Sequence, residues 1–185
     1  MVSELYRKNK NQRDAYSSPW PKKEAIMIRI WEVVWTLFVR WLPKPFYRWH
    51  IFLLKLFGAH ISGHPFIAPT ARIYAPWLLT VGDRSCIATR SEIYNLGPVI
   101  IKERVTIAQY AYICNGSHDL SDNKLPLVVG DVVIDNARAI ILPGLHLCRY
   151  SVVGAGAVLT QNTTDFGIYA GNPARFIKER KIYGE

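Results

Sequence analysis

Aliphatic residues return at every sixth position along most of this chain. Ile67 and Ile73 lead to Leu79; Val81, Ile87, Ile93 and Val99 follow after a two-residue shift, then Ile101, Ile107 and Ile113 after another. An irregular stretch, residues 118–128, interrupts the series, which resumes through Val129, Ile141, Leu147, Val153 and Leu159. Four places after most of these stands a small or short side chain, among them Ala71, Ser85, Ser91, Ala111, Ser117 and Ala157. A six-residue period does not suit an amphipathic helix, which needs 3.6, nor simple strand alternation. It predicts a short strand and a turn used again and again, each unit stacking on its neighbours because none can bury its own apolar face. A sandwich with strands every 8–12 residues is the ordinary alternative, and a period of six held over about ninety residues speaks against it.

Upstream of Ile61 the pattern changes. Residues 24–57 are rich in Trp, Phe and Leu with basic residues interspersed, and Pro43 and Pro45 divide them into two helices, because proline lacks the amide donor and clashes with the preceding turn. The apolar run from Ile26 to Leu42 contains Arg29, Glu32 and Arg40, and so falls short of a membrane span. These breaks divide the chain into a flexible polar tail (1–23), a helical segment (24–60), a repeat domain (61–174) with its loop at 118–128, and a basic C-terminal helix or tail (175–185).

Half of the 185 residues are hydrophobic, which supports a packed core rather than disorder. The net charge of +9 sits at the ends: residues 1–60 carry 11 Lys/Arg against 4 Asp/Glu, residues 61–174 carry 8 of each, and residues 175–185 carry 4 against 2. A nucleic-acid binder more often carries a basic stripe through its folded domain; local anion contacts at each end, lipid at the front and phosphates at the back, fit better. Cys86, Cys114 and Cys148 lie far apart and suit reduced thiols in a cytoplasmic protein. No His or Cys cluster has metal-ligand spacing, so no metal is expected.

The units Val81-Gly-Asp-Arg-Ser85-Cys86 and Ile107-Ala-Gln-Tyr-Ala111-Tyr112, with Asn115-Gly-Ser117-His118-Asp119, Leu142-Pro143-Gly144 and Gly171-Asn172-Pro173-Ala174-Arg175, occur in one order. In that ordered set the chain resembles the hexapeptide-repeat acetyltransferases, and from about residue 19, with Ile73-Tyr-Ala-Pro-Trp77, those assigned to colanic acid biosynthesis. The resemblance implies a mainly β fold: a left-handed parallel β-helix with N-terminal helices and a short C-terminal helix. It also implies a homotrimer, acetyl-CoA as donor, and a sugar hydroxyl on an exopolysaccharide precursor (a lipid-linked glycan or a nucleotide sugar) as acceptor.

Acetyl transfer from a thioester to an alcohol needs a base, stabilisation of an oxyanion, and two substrates held together. Histidine is the natural base near neutral pH. Of the five histidines, His118 stands where the repeat gives way to an irregular loop, a usual seat for catalytic groups. The spacing by itself leaves a plain surface histidine as an equal alternative; the resemblance makes His118 the general base. Asp119 either orients the imidazole or touches the sugar, or else shapes the turn. Asn95 falls where similar enzymes place an acceptor-binding group, although an Asn before Gly-Pro also suits a plain turn; Glu92 is a second candidate for the acceptor.

For the donor, the resemblance points to a groove along the last coils. Gly154, Ala155, Gly156, Ala157 and Thr160 would admit the pantetheine arm; Gly171, Asn172, Pro173 and Ala174 would close over the adenine end; Arg175, Lys178 and Arg180 would face its phosphates. The alternatives are tight coil corners and a solvated basic tail. Two departures stand out: Ile134 replaces an aromatic residue of relatives, and Asp135 falls on an inward aliphatic position, where an unpaired carboxylate is costly. Residues 24–57 either cover the open end of the β-helix or lie in a membrane interface. The rival functions on this fold are a γ-type carbonic anhydrase, which needs three convergent histidines, and a non-catalytic scaffold or membrane adaptor.

Overall fold

The computed structural model describes residues 7–8, 20–118, 127–129, 132–134, 140–141, 144–148, 151–154 and 156–181. The six-residue pattern folds as parallel strands of two or three residues, laid on three faces of a solenoid. The first face stacks His60–Ile61, Leu79–Val81, Val99–Ile101, Val132–Ile134 and His146–Leu147. Phe66–Ile67, Cys86–Ile87 and Thr106–Ile107 form the second. Arg72–Ile73, Glu92–Tyr94, Tyr112–Cys114, Ile140–Ile141 and Val158–Leu159 form the third. Register is set by the inward aliphatic residue: Ile67 lies beside Ile87 and Ile87 beside Ile107, and Ile73 beside Ile93 and Ile93 beside Ile113. These residues are at most 1 % exposed, so the stack of branched side chains is the core itself. Gly82 shows how closely the coils approach, since a Cβ there would lie 2.6 Å from the backbone of Lys102 and Glu103.

The N-terminal segment closes the first coil. Helix α1 spans Lys22–Phe38 and α2 spans Tyr47–Leu56, joined through a 3-10 turn at Lys44–Phe46 where the two prolines were expected to break the helix. Trp31, Val39 and Leu54 are buried against the coil. The Trp31 indole donates to the Ile73 carbonyl at 2.7 Å and the Trp35 indole to that of Ala71 at 3.2 Å, while His50 Nδ1 bonds the Ala68 carbonyl at 3.0 Å. The Ile73 and Ala71 carbonyls lie on the first coil's open edge, while that of Ala68 also accepts the Ala71 amide at 2.9 Å.

The structure corrects four expectations. Arg7–Lys8, in the segment expected as a tail, is a strand paired antiparallel with Leu127–Val129, and α1 already begins at Lys22. Val129 is therefore part of an antiparallel ribbon rather than of the coil series. The series resumes at Val132–Ile134, and Ile134 is in register with Ile101 and Leu147, so the register position counted for Asp135 falls on Ile134. The inserted ribbon shifts the phase of the repeat by one residue, which a fixed count of six cannot detect. Finally, Arg175–Glu179 is a strand and not a helix: it runs antiparallel to Gly167–Ala170, placing Phe176 against Tyr169 at 5.7 Å. Pairing with a neighbouring strand overrides the modest helix preference of Lys and Glu there. Asp135 itself lies outside the described residues.

Candidate active site

Between its third and fourth strands the chain of the third face changes direction. Beyond Tyr112–Cys114 the chain passes Asn115 and enters the strand Gly116–His118, which pairs antiparallel with Leu127–Val129. Gly116 lies opposite Val129, Ser117 opposite Val128 and His118 opposite Leu127. His118 is thus the last residue of one arm of a ribbon that leaves the coil stack, rather than the first of an irregular loop. Asn115 fixes the root of this ribbon. It is fully buried; its Oδ1 accepts the Leu96 and Gly97 amides at 2.7 and 3.1 Å, and its Nδ2 donates to the Pro98 carbonyl at 3.2 Å. Reading the motif for its histidine missed this asparagine, although its 20-residue offset from Asn95 matches the distance between stacked coils.

The same face carries a row of aromatic side chains on the strands stacked before the ribbon. Tyr74 and Tyr94 rings lie 4.7 Å apart, and Tyr94 is in register with Cys114. Burial, the neighbouring Cys114 and a hydrogen bond to it push the Tyr112 phenol up to about 12, and burial also raises that of Tyr94. Both phenols are therefore neutral donors at physiological pH, on an aromatic surface suited to a sugar ring. Glu92, 40 % exposed, shares a register column with Arg72 and Tyr112 and lies 3.7 Å from the Arg72 guanidinium, so it remains available to an acceptor.

Asn95 does not remain available. It is fully buried, its Oδ1 accepts the Ala75 amide at 2.9 Å and its Nδ2 donates to the Ala75 carbonyl at 2.7 Å. With both ends of the amide spent on one backbone residue, Asn95 is a coil-to-coil clasp and not an acceptor-binding group. Asp119 lies outside the described residues.

Backbone hydrogen bonds join some of the residues expected to hold the donor. The Gly154 amide bonds the Tyr169 carbonyl, Val158 that of Gly171, and Ala174 that of Val158, at 2.8, 3.0 and 2.8 Å. This joins the strand Val158–Leu159 to the turn at 171–174, where the Asn172–Pro173 peptide is cis. Gly171, Asn172 and Pro173 are exposed on this seam and Gly154 is half-buried; Gly156, Thr160, Arg175, Lys178 and Arg180 are exposed too, with the Arg180 amide on the Phe166 carbonyl at 2.7 Å, at the opposite end of the hairpin from the turn. Ala157 and Ala174 are fully buried and their amides are engaged within the chain, so they shape the seam rather than line it. Ala155 lies outside the described residues. Among the described residues no group of three or more His, Cys, Asp or Glu could hold a metal ion, so these residues do not furnish the histidine cluster of a carbonic anhydrase.

No family model matches the chain. A curated relative does: the colanic acid biosynthesis acetyltransferase WcaF of Escherichia coli K12 is 34 % identical over 161 residues, covering 84 % of this chain and 88 % of the relative. The chain belongs to the hexapeptide-repeat acetyltransferase family. Solved structures of that fold superpose along nearly its whole length. A hexapeptide-repeat acetyltransferase of Vibrio cholerae, in complex with acetyl-CoA, gives a TM-score of 0.76 at 16 % identity, over 94 % of this chain and 97 % of its own. A galactoside acetyltransferase in complex with coenzyme A gives 0.77 at 19 % identity, over 88 % and 84 %. The solenoid is accordingly the left-handed β-helix of hexapeptide-repeat acetyltransferases.

Proposed function

We propose that this chain transfers an acetyl group from acetyl-CoA to a sugar hydroxyl of an exopolysaccharide precursor, with His118 as general base. The observation that carries the reading is that His118 ends a ribbon arm which directly follows the Tyr112–Cys114 strand and which Asn115 ties to the coil beneath. In the step envisaged, the imidazole takes the hydroxyl proton, the freed oxygen attacks the thioester carbonyl, and the carbon–sulfur bond breaks. The proton passes to the departing thiolate, leaving an ester and a free thiol. Tyr112 and Tyr94 would hold the sugar by stacking and by donating hydrogen bonds, and Glu92 would accept one. Gly154, Gly156, Thr160, Gly171 and Asn172 would take the pantetheine and adenine, with Arg175, Lys178 and Arg180 facing phosphates. The name of the 34 % relative supports an exopolysaccharide acceptor.

The test is His118→Ala, with folding checked by circular dichroism and turnover read as thiol release from acetyl-CoA in a screen of nucleotide sugars and lipid-linked glycans. General-base catalysis is worth roughly 10²–10⁴-fold, so turnover should fall by that factor. A folded variant that keeps wild-type turnover defeats the reading.

Assembly and location complete the proposal. A homotrimer would supply the second wall of the donor seam, and light scattering should give three times the chain mass. A cytoplasmic enzyme resting on the inner membrane face accords with the helical segment, where Ile26, Ile30, Leu37, Trp41, Phe52 and Leu56 are each more than half exposed beside Arg29, Lys44 and Lys55. No helix of the described residues is long and apolar enough to cross a membrane. Flotation with anionic liposomes at low salt tests this contact, and failure to float excludes it.

A further inference from the structure

A groove of about 630 Å³ lies between the C-terminal end of α1 and the lower coils, lined by Trp35, Arg40, Trp41, Arg72, Arg90 and Glu92 among others. Three guanidinium groups there face two carboxylates, Glu92 in the lining and Glu32 beside Arg72. Arg72 is tied to Glu32 at 3.3 Å and to Glu92 at 3.7 Å. The other two guanidinium groups meet no carboxylate among the described residues: Arg40 lies 5.8 and 5.0 Å from the Trp35 and Trp41 rings, and Arg90 donates to the Tyr110 hydroxyl at 3.1 Å. Arginine pinned against rings keeps its planar donor fork oriented while its charge stays uncompensated, the condition for binding phosphate oxygens. Arg90 does this from a left-handed backbone position, φ +57°, shared with the turn residues Arg84, Arg104 and Tyr110. Trp41, 74 % exposed at the mouth, adds a stacking surface, and its neighbours Leu37 and Phe38 belong to the apolar outer side of α1.

We infer that this groove binds the diphosphate of a sugar diphosphate, with Arg40 and Arg90 on the phosphates and Trp41 against the adjoining sugar or carrier. The inference rests on the acetyl-transfer reading for its biological sense, since it makes the groove the anchor of the acceptor. Reach permits this. Glu92 on the groove wall lies beside Tyr112, one strand spacing away, and Tyr112 is six residues before His118, so the wall is at most on the order of 25 Å from the catalytic position. A diphosphate-linked oligosaccharide anchored in the groove would run along the tyrosines of the third face toward His118. The diphosphate could come from a soluble nucleotide sugar or from a polyprenyl carrier in the bilayer.

The experiment uses the full chain saturated with coenzyme A, so that the donor's own diphosphate site is filled, and titrates inorganic pyrophosphate by calorimetry and tryptophan fluorescence. Wild type should bind, with fluorescence changing as Trp35 and Trp41 respond. Arg90→Asn, which suits the left-handed position and removes the charge, and Arg40→Gln should each weaken binding about tenfold or more, as loss of a charge-assisted hydrogen bond predicts. Parallel titrations with UDP-glucose in solution and with polyprenyl diphosphate glucose in phosphatidylcholine vesicles identify the carrier; loss of either through Arg90→Asn supports the groove. Absence of pyrophosphate binding, or equal affinity in wild type and both variants, overturns it. Acetyl-CoA binding, measured separately, keeps the two readings apart: if it persists while pyrophosphate fails, only the groove inference falls. If acetyl-CoA does not bind, the acetyl-transfer reading falls.

Discussion

Replacing Asn95 with alanine separates a structural clasp from a substrate-binding group. The amide pairs with both the N–H and the C=O of Ala75, at 2.9 and 2.7 Å, and both residues are fully buried. Truncation leaves one donor and one acceptor unpaired where the folded chain admits no water. Each such group costs about 1–3 kcal/mol, so Asn95→Ala should lose roughly 2–6 kcal/mol of folding stability. Urea denaturation at pH 7, at fixed protein concentration, reads this loss as a lower midpoint with an unchanged slope. The fraction that remains folded should keep the wild-type KM for whichever sugar proves to be the acceptor, because Asn95 presents nothing outward. A variant as stable as wild type but with a much raised acceptor KM would refute this reasoning and restore Asn95 to the acceptor site.

Burial lowers the His50 imidazole from its ordinary 6.5 to about 4. The unfolded chain therefore takes up the proton first, so stability is at full value above about pH 6.5 and declines as pH falls toward 4, by about 3 kcal/mol at most. His50→Phe should flatten that part of the denaturation profile; parallel wild-type and variant profiles would contradict it. Gly82→Ala forces a β-carbon to within 2.6 Å of the Lys102–Glu103 backbone and should cost about 1–3 kcal/mol by overpacking, read as a lowered melting temperature; an unchanged one would show that the coils yield there.

The repeat was legible in the sequence because each inward position is decided locally. An aliphatic residue at every sixth place has to meet its counterpart one coil away, and Ile73, Ile93 and Ile113 do so. Composition also identified the two-helix segment and its proline break, and the ordered motifs identified the family and pointed to His118. Other features depended on partners distant in the chain. Antiparallel pairing of Gly116–His118 with Leu127–Val129, and of Arg175–Glu179 with Gly167–Ala170, put strands at both ends of the stretch expected as an irregular loop and in place of an expected helix, and the first pairing moved Ile134 into the register place counted for Asp135. Asn95 and Asn115 look alike in sequence to any surface turn residue; only the coil beneath each reveals that its amide is already spent. The groove was invisible for the same reason. Arg40, Arg72 and Arg90 come from three separate segments, and a pattern of neighbours along a chain carries no information about charges that meet only when a helix lies across a coil.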